Sequence, residues 1–372
     1  MSLEKFQQAE QRYDEALIER TEEIRIVLIG LISQLNCLFV GPAGTAKSKL
    51  ADMICEMIDG KIYNHMLTAH TLTEEVFGVI DIDGYRNGIF RRLPKAMLQE
   101  ADVCFLDEIW KSSSSILNSL LRIVNEKVYL EQGQRIDVPF KLSIAASNEY
   151  PSGEEGKALV ALFDRFVLRK TVKPIATDRG LDRLLWSTDD ELEPAVDFTI
   201  SADEITEATS AALSLPIDKD ARTCFTKIIK ECRANGVQTG DRRLRQSVRA
   251  VRGAAWLDGA DAVLPEHLEV LSHTLWIDPE EQPQVVAEIV GQVANPERMK
   301  VTGLLGEAEE IISGGGSESW HDSMETSQKL ASISKELKKL TSSRAKAGNK
   351  RIQNELRSRQ AATAKRLEIE TT

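Results

Sequence analysis

A nearly complete phosphate-binding loop, GPAGTAKS, occupies residues 41–48. In such loops, written G-x-x-x-x-G-K-[ST], backbone amides hold phosphate oxygens, the lysine reaches the β and γ phosphates, and the hydroxyl binds Mg²⁺. Lys47 and Ser48 are present, but Ala46 replaces the second glycine. Alanine adds one methyl group there, without left-handed strain if its backbone is helical. The predicted ATP- or ADP-binding residues are Gly41, Pro42, Ala43, Gly44, Thr45, Ala46, Lys47, Ser48 and Asp107.

Two adjacent carboxylates end the apolar run VCFLDEI at residues 103–109. Asp107 can hold Mg²⁺ together with Ser48, directly or through water, and Glu108 can polarise a water for in-line attack on a γ-phosphate. The alternative is an acidic strand end that is merely solvated. The separation of these carboxylates from the phosphate loop fits an intervening helix, hairpin and strand, which favours the catalytic interpretation.

Two more polar residues could complete a hydrolytic site. Asn148 ends the apolar run FKLSIAASNE, where its amide could orient the attacking water, although asparagine before Pro151 also suits a turn. Arg165, in ALFDRFVLRK, could reach a γ-phosphate held by a neighbouring subunit and neutralise charge in the transition state. Taken alone, Arg165 is explained better as a structural arginine paired with Asp164.

The elements that must position these residues are short apolar runs separated by helical segments. Helices are predicted within residues 1–35, and strand, loop and helix follow one another through the phosphate loop. We therefore predict an α/β fold, an αβα sandwich with a parallel sheet over residues 1–178. An all-α domain is predicted over 179–280, and a helical C-terminal extension over 281–372, with a Gly-rich linker near 313–319.

Two stretches are predicted to form hairpins. VIDIDGYRNGIFRR carries Asp83-Gly84 and Asn87-Gly88 between strand-like arms, and KVYLEQGQRIDV turns at Gln132-Gly133. Both follow the phosphate loop in the chain.

Composition narrows the classes of function. The chain has 372 residues and a net charge of −11, but the segment 327–372 carries +8, which leaves −19 on the rest. An acidic body makes nucleic acid an unlikely partner, while the basic tail keeps that alternative open. Five cysteines without metal-ligand spacing indicate reduced thiols and a cytoplasmic protein. The sequence contains no run of eighteen apolar residues, so a membrane span is not predicted.

Taken in order, GPAGTAKS, FLDEI, AASNE and ALFDRF resemble the MoxR family of AAA+ ATPases, in which alanine before the loop lysine is common. ASNE, DRRLRQSVRA and LWIDPEE resemble the regulatory ATPase variant A (RavA) subgroup within that family. The resemblance covers roughly residues 5 to 280. It implies that Asn148 is sensor 1, that Arg165 is an arginine finger acting in trans, and that Arg242, or else Arg243, is sensor 2. The two hairpins would line a central pore.

The same resemblance implies a ring, probably hexameric, that hydrolyses ATP to remodel, activate or insert a cofactor into a protein partner. By family analogy that partner carries a von Willebrand factor A domain. RavA-like proteins have a further β-rich domain, which is not evident after LWIDPEEQP, so their partners transfer poorly to this chain. Two alternatives remain: a nucleotide-dependent binding switch of low turnover, and a nucleic-acid motor that uses the basic tail.

Overall fold

The structure is a computed structural model and describes residues 2–131, 134–150, 159, 162–193, 197–296, 303–304, 307–308, 311, 320–339, 352–353 and 356. The chain divides into two compact units, Met1–Ala287 and Glu288–Thr372. The predicted boundary near residue 178 falls inside the first unit and stays a prediction. The predicted Gly-rich linker at 313–319 lies outside the described residues.

The predicted N-terminal helices are α1, Ser2–Ala16, and α2, Thr21–Ser33. Helix α2 is buried on nearly every side because its run IRIVLIGLI is apolar throughout. It ends where Gln34 adopts a left-handed conformation and donates its amide to the carbonyls of Gly30 and Leu31, a common helix C-cap. The sheet and several later helices both contact α2, so this helix connects the two parts of the first unit.

A parallel sheet forms the centre of the first unit. The strands in the described part of the chain are β1 Cys37–Val40, β2 Ile58–Asp59, β3 Ile62–Met66, β4 Val103–Asp107, β5 Val128–Glu131, β6 Gln134–Asp137, β7 Leu142–Ser147, β8 Leu168–Thr171 and β9 Ile200–Ser201. Five of them pair in the order β3-β4-β7-β1-β8, every pair parallel. Strands β1 and β7 are buried throughout, as apolar runs in a parallel sheet should be. The predicted parallel α/β fold is confirmed.

Helices flank the sheet and then dominate the chain. After α2 come α3 Lys47–Met57, α4 Thr73–Phe77, α5 Ile82–Arg86, α6 Ser114–Glu126, α7 Asp178–Trp186, α8 Ala202–Ser214, α9 Lys219–Ala234, α10 Asp241–Leu257, α11 Gln282–Ala294 and α12 Trp320–Leu337. Short 3₁₀ helices lie at Leu98–Glu100, Ile109–Lys111, Asp189–Leu192 and Pro265–His273. Ser201 and Glu204 form a capping box at the start of α8. The predicted helical domain after the sheet is confirmed.

The two predicted hairpins differ in outcome. Strands β5 and β6 pair antiparallel, which confirms the second hairpin, although its tip at 132–133 lies outside the described residues. The first prediction is wrong in its strands. Its arms meet only at an antiparallel bridge between Ile80 and Arg92, and the short helix α5 lies between them. Asp81 caps α5 by accepting the amides of Asp83 and Gly84, so the aspartate nucleates a helical turn where a strand was expected.

Helix α10 packs closely against α2 at a glycine. A Cβ at Gly253 would lie 2.2 Å from Ser33 Oγ and 3.4 Å from the carbonyl oxygen of Ile29. Ser33 is fully buried and donates to the carbonyl oxygen of Arg249, on α10, at 3.0 Å. The helical part of the first unit is therefore held to α2 by a contact that leaves no space for a side chain.

The second unit has its own apolar cluster. Leu330, Ile333 and Leu337 of α12 are buried with Ala308 and Ile352. One side of α12, which overlaps the start of the basic tail, is therefore buried in this cluster. Among the described residues, no helix is both long and apolar enough to cross a membrane.

Replacing Gly253 with alanine tests the α2–α10 contact. Alanine normally stabilises a helix interior by about 1 kcal/mol relative to glycine. Here the new Cβ should displace Ser33 Oγ from its acceptor, and overpacking typically costs about 1 to 3 kcal/mol. We expect a net loss of roughly 1 kcal/mol in urea unfolding. In a Ser33→Ala background the same change should be neutral or stabilising; an equal loss in both backgrounds contradicts the contact.

Candidate functional site

The phosphate-binding loop lies between β1 and α3, and its two glycines serve different purposes. Gly41 directly follows β1, and a Cβ there would lie 2.1 Å from the carbonyl oxygen of Val172. Gly44 has a φ of +80°, which glycine adopts without strain. The loop is thus packed against the end of β8 at its start and turned by a left-handed residue in its middle.

Ala46 does not have the helical backbone that would make alanine free of strain. Its φ is 62° and its ψ is 24°, a left-handed conformation at the N-cap of α3. That conformation costs an L-residue with a Cβ roughly 1 to 2 kcal/mol. Such strain persists only where the surrounding structure imposes it, and it concentrates at functional sites. The loop therefore keeps the shape that glycine would give it, at a cost in stability.

The strained turn exposes a row of backbone amides. The amides of Ala43, Gly44, Thr45 and Ala46 donate to no backbone acceptor among the described residues. Helix α3 begins directly after them at Lys47, and the first amides of a helix have no partner within it. Successive free amides at a helix N-terminus form a favourable site for an anion such as phosphate.

Ser48 and Asp107 meet at the carboxyl edge of the sheet. Ser48 Oγ donates to Asp107 Oδ2 at 2.8 Å. Mg²⁺ is commonly held by one or two protein oxygens, with phosphate and water completing its octahedral shell. No group of three or more His, Cys, Asp or Glu suited to a metal occurs in the part of the chain that the structure describes. This pair therefore fits an ion bound together with a nucleotide.

Asn148 links the phosphate loop to the acidic strand end. Its Oδ1 accepts from Lys47 Nζ at 3.1 Å, and its Nδ2 donates to Glu108 Oε1. The strand order explains this contact, because β7, which precedes Asn148, lies between β4 and β1. The structure thus joins Lys47, Asn148 and Glu108, three residues that the sequence predicted separately.

The Lys47 ammonium is surrounded by uncharged oxygens. Besides Asn148, it donates to the carbonyls of Gly41 and Pro42 at 2.7 and 2.9 Å and to Thr45 Oγ1 at 3.4 Å. Burial lowers the pKa of Lys47, while the charges of the nearby Asp107 and Glu108 raise it. A buried cation without an ion pair to any described residue is suited to a phosphate group.

Glu108 is held in a similarly constrained way. Its φ is 53°, a second left-handed non-glycine residue at this edge, and it is 4% exposed. Oε1 contacts Asn148 and lies 3.2 Å from Lys111 Nζ. Oε2 is buried and has no hydrogen-bond partner among the described residues. One carboxylate oxygen is therefore fixed by protein contacts, and the other is left without a hydrogen-bond partner among the described residues.

Sequence reasoning missed Arg20 and the cavity beside it. Arg20 Nε donates to the carbonyl oxygen of Thr45 at 3.1 Å, and Nη2 donates to that of Lys173 at 2.9 Å. This buried arginine joins the turn between α1 and α2 to the phosphate loop. No local motif could have identified it, because its acceptors are 25 and 153 residues away.

The cavity beside the loop has a volume of about 280 Å³ and is mainly apolar. It is bordered on one side by Gly44, Thr45 and Ala46. Its apolar lining comes from Leu17, Ile18, Ile175, Leu181, Leu184 and Leu192. An apolar cleft next to a phosphate site is suited to a flat aromatic base.

Arg165 lies in a separate cluster around Asp164. Arg165 Nη1 is 3.4 Å from Asp164 Oδ2, as the structural interpretation of this arginine predicted. Arg169, four residues on, is 1% exposed and stacks its guanidinium 3.9 Å from the centre of the Phe163 ring. Arg169 is thus enclosed, whereas the Arg165 side chain is 26% exposed.

The two arginines at the start of α10 differ sharply. Arg242 is exposed, and its pKa is lowered by partial burial and by the charge of nearby Arg165. Arg243 is 3% exposed and donates to the Asp164 carboxylate and to four carbonyl groups. Arg242 therefore lies near the partly exposed Arg165, while Arg243 is engaged in internal contacts.

The phosphate loop follows an inner strand of a parallel sheet, the acidic end of β4 lies at the same edge, and a helical domain follows in the chain. This arrangement is that of the AAA+ class of P-loop proteins. Residues 4–210 match the profile of the "MoxR domain in the MoxR-vWA-beta-propeller ternary systems", and residues 222–290 match an AAA lid domain. The chain belongs to the MoxR family of AAA+ ATPases.

Individual relatives agree with this family. An uncharacterised protein of Methanocaldococcus jannaschii is 34% identical over 274 residues, covering 73% of this chain and 71% of its own length. Protein MoxR of Paracoccus denitrificans is 23% identical, with 75% and 91% covered. The crystal structure of a candidate ATPase from Cytophaga hutchinsonii superimposes with a TM-score of 0.60 at 16% identity, covering 78% of this chain and 95% of that one, and supports the fold.

Replacing Ala46 with glycine tests the strain in the loop. Glycine removes the left-handed penalty of about 1 to 2 kcal/mol but gives the unfolded chain more freedom, worth about 0.4 to 1 kcal/mol. We expect unfolding free energy to rise by up to about 1 kcal/mol, with nucleotide affinity unchanged within threefold. Ala43→Gly, elsewhere in the loop, is the control and should not stabilise. A marked loss of stability in Ala46→Gly contradicts the left-handed assignment.

Proposed function

We propose that this chain binds ATP with Mg²⁺ and hydrolyses it to ADP and phosphate in a ring of identical subunits, and that the cycle remodels a protein partner. The observation that carries the catalytic part is the Asn148 amide, which contacts Lys47 and Glu108 at once. This contact places a phosphate-binding cation and a carboxylate on either side of one polar side chain, the geometry that hydrolysis of a terminal phosphate requires.

Each residue has a definite role in the proposal. The amides of 43–46 and the Lys47 ammonium would bind the phosphate chain, and Ser48 with Asp107 would hold Mg²⁺, which supplies positive charge to the phosphates when bound. Glu108 Oε2 takes a proton from the attacking water. Asn148 orients that water and fixes Glu108 through its amide. Low exposure of Glu108 strengthens these electrostatic contacts.

The apolar cavity is proposed as the site of the adenine ring. It adjoins the loop residues whose amides would bind the phosphates, and α7 supplies two of its leucines. Arg20 supports this arrangement because it fixes the loop to the α1–α2 turn, which also lines the cavity. Base and phosphates would then contact one continuous surface.

The cluster around Asp164 supports the proposed assembly into a ring. Arg165 and Arg242 lie near each other, and neither makes a hydrogen bond or ion pair with Lys47, Asp107 or Glu108 in the described structure. We propose that Arg165 neutralises transition-state charge in the neighbouring subunit's site, and that Arg242 rather than Arg243 is the sensor 2 arginine. A hexamer is the proposed ring.

The proposed partner is a protein with a von Willebrand factor A domain. The support is the description of the matching family, which names MoxR-vWA-beta-propeller systems. Chaperone-like remodelling, including cofactor insertion, is the proposed use of ATP, and the RavA subgroup stays a prediction. All five cysteines are free and four are buried, which supports the proposed cytoplasmic location.

Replacing Glu108 with glutamine tests its role as the base. The variant should bind ATP normally and release phosphate about 10²- to 10⁴-fold more slowly, the usual contribution of a general base. Steady-state phosphate release measures this rate, and Glu100→Gln, a carboxamide substitution outside the site, should stay within twofold of the unmodified chain. Unchanged turnover in Glu108→Gln removes this residue from the mechanism.

Mixing two inactive variants tests the shared site. Arg165→Ala should keep nucleotide affinity but lose roughly 10³- to 10⁵-fold in rate, as arginine fingers contribute in GTPase systems. Lys47→Ala should lose ATP binding. When the two variants are mixed and their subunits exchange, some interfaces join an intact pocket to an intact finger. Activity should therefore partly return. Arg233→Ala, an exposed arginine elsewhere, is the control. Normal turnover by Arg165→Ala would contradict the shared-site mechanism.

A further inference from the structure

The second arginine at the start of α10 binds the turn that carries Arg165. Arg243 Nε donates to Asp164 Oδ1 at 3.1 Å, and Nη2 donates to the Asp164 carbonyl oxygen at 2.6 Å. Nη2 also donates to the carbonyl oxygen of Phe166 at 3.2 Å, and Nη1 to that of Val167 at 3.1 Å. These backbone acceptors precede and follow Arg165, so one guanidinium holds the chain on both sides of it.

The same guanidinium connects the turn to a more distant part of the helical domain. Arg243 Nη1 also donates to the carbonyl oxygen of Thr274 at 3.0 Å. With this bond, all five N–H groups of Arg243 have an acceptor, the full capacity of the side chain. The position of the turn therefore depends directly on the position of α10 and of the segment that contains Thr274.

Asp164 extends this connection to the Arg165 side chain. One carboxylate oxygen lies 3.0 Å from Arg243 Nη2, and the other lies 3.4 Å from Arg165 Nη1. Arg169 Nη2 is 3.7 Å from the first of these oxygens. One carboxylate thus separates a buried arginine of the helical domain from an accessible arginine of the sheet domain, and its two oxygens have different partners.

We infer that Arg243 is a positioning residue for Arg165, so that the orientation of the helical domain determines whether a subunit can complete its neighbour's site. The inference rests on the proposed function of Arg165 in trans. It assigns to Arg243 a role in donating the finger, not in using the subunit's own nucleotide. A shift of about 1 Å in a catalytic group can cost about 100-fold in rate. A small movement of α10 that displaces Arg165 would therefore be enough to lower turnover in the neighbouring subunit.

Arg243→Lys keeps the charge but removes the fork of donors. Lysine has three N–H groups on one nitrogen and cannot reproduce five directed contacts. We expect kcat to fall about 10- to 100-fold, while KM for ATP and the affinity for a fluorescent ATP analogue stay within threefold. Arg245→Lys, an exposed arginine two residues on, is the matched control and should leave both parameters unchanged.

Mixed rings distinguish donation of the finger from any other defect. Arg243→Lys subunits keep an intact pocket, so mixing them with Lys47→Ala subunits, whose fingers are intact, should restore turnover. Mixing them with Arg165→Ala subunits should restore nothing, because neither variant then supplies a functional finger. A merely structural defect, or a role in the subunit's own pocket, predicts no recovery with Lys47→Ala.

Recovery with the other mixing partner would overturn the inference. If Arg243→Lys recovers with Arg165→Ala and not with Lys47→Ala, Arg243 serves its own subunit's pocket. Unchanged kcat in Arg243→Lys also overturns it. The mixture of Lys47→Ala with Arg165→Ala is the reference. If this mixture does not recover activity, the shared site of the proposed function is rejected, and not only the positioning role of Arg243.

A second variant guards against misfolding of Arg243→Lys. Asp164→Asn leaves the backbone acceptors in place and removes the charge that links Arg243 to Arg165. Circular dichroism and thermal melting establish that each variant is folded before mixing. If Arg243→Lys does not fold, Asp164→Asn must show the same dependence on its mixing partner, and the reverse dependence rejects the inference.

Discussion

The site depends on a single amide placed between two opposite charges. Asn148 accepts from Lys47 and donates to Glu108, which is possible because β7 lies between β4 and β1. A neutral amide can satisfy a cation and a carboxylate together. Were the two strands adjacent, ammonium and carboxylate could pair directly, and neither would be available for phosphate or water. The strand order therefore keeps the Lys47 and Glu108 charges close to each other without a direct ion pair between them.

The same edge of the sheet holds two of the six non-glycine residues with left-handed backbones among the described residues. Ala46 and Glu108, which follow β1 and β4, both have left-handed backbones although neither is glycine. Ala46 lies at the N-cap of α3, next to the free amides of the loop, and Glu108 directly follows the end of β4. A rigid parallel sheet can support such local cost, and strain of this kind is typical of functional sites. Arg20, between the two N-terminal helices, also holds the phosphate loop by donating to the carbonyl oxygen of Thr45.

Much of this arrangement could be predicted from the sequence because its parts are local. Lys47, Ser48, Asp107, Glu108 and Asn148 each follow an apolar run, and carboxyl ends of parallel strands share one edge. The conformation of Ala46 could not be predicted, since it depends on packing around the loop. The helix at 82–86 was hidden by turn-forming residues that also suit a hairpin. The burial of Arg243, unlike Arg242, arises from contacts with residues more than thirty positions away.

The central claim is that this edge of the sheet binds ATP together with Mg²⁺. The most direct test is an equilibrium titration of the unmodified full-length chain with ATP, by calorimetry, with and without Mg²⁺. Because each chain has one phosphate loop and one Ser48–Asp107 pair, we expect saturation at one nucleotide per chain, with Mg²⁺ increasing the affinity. Absence of saturable binding in the presence of Mg²⁺ would contradict the account.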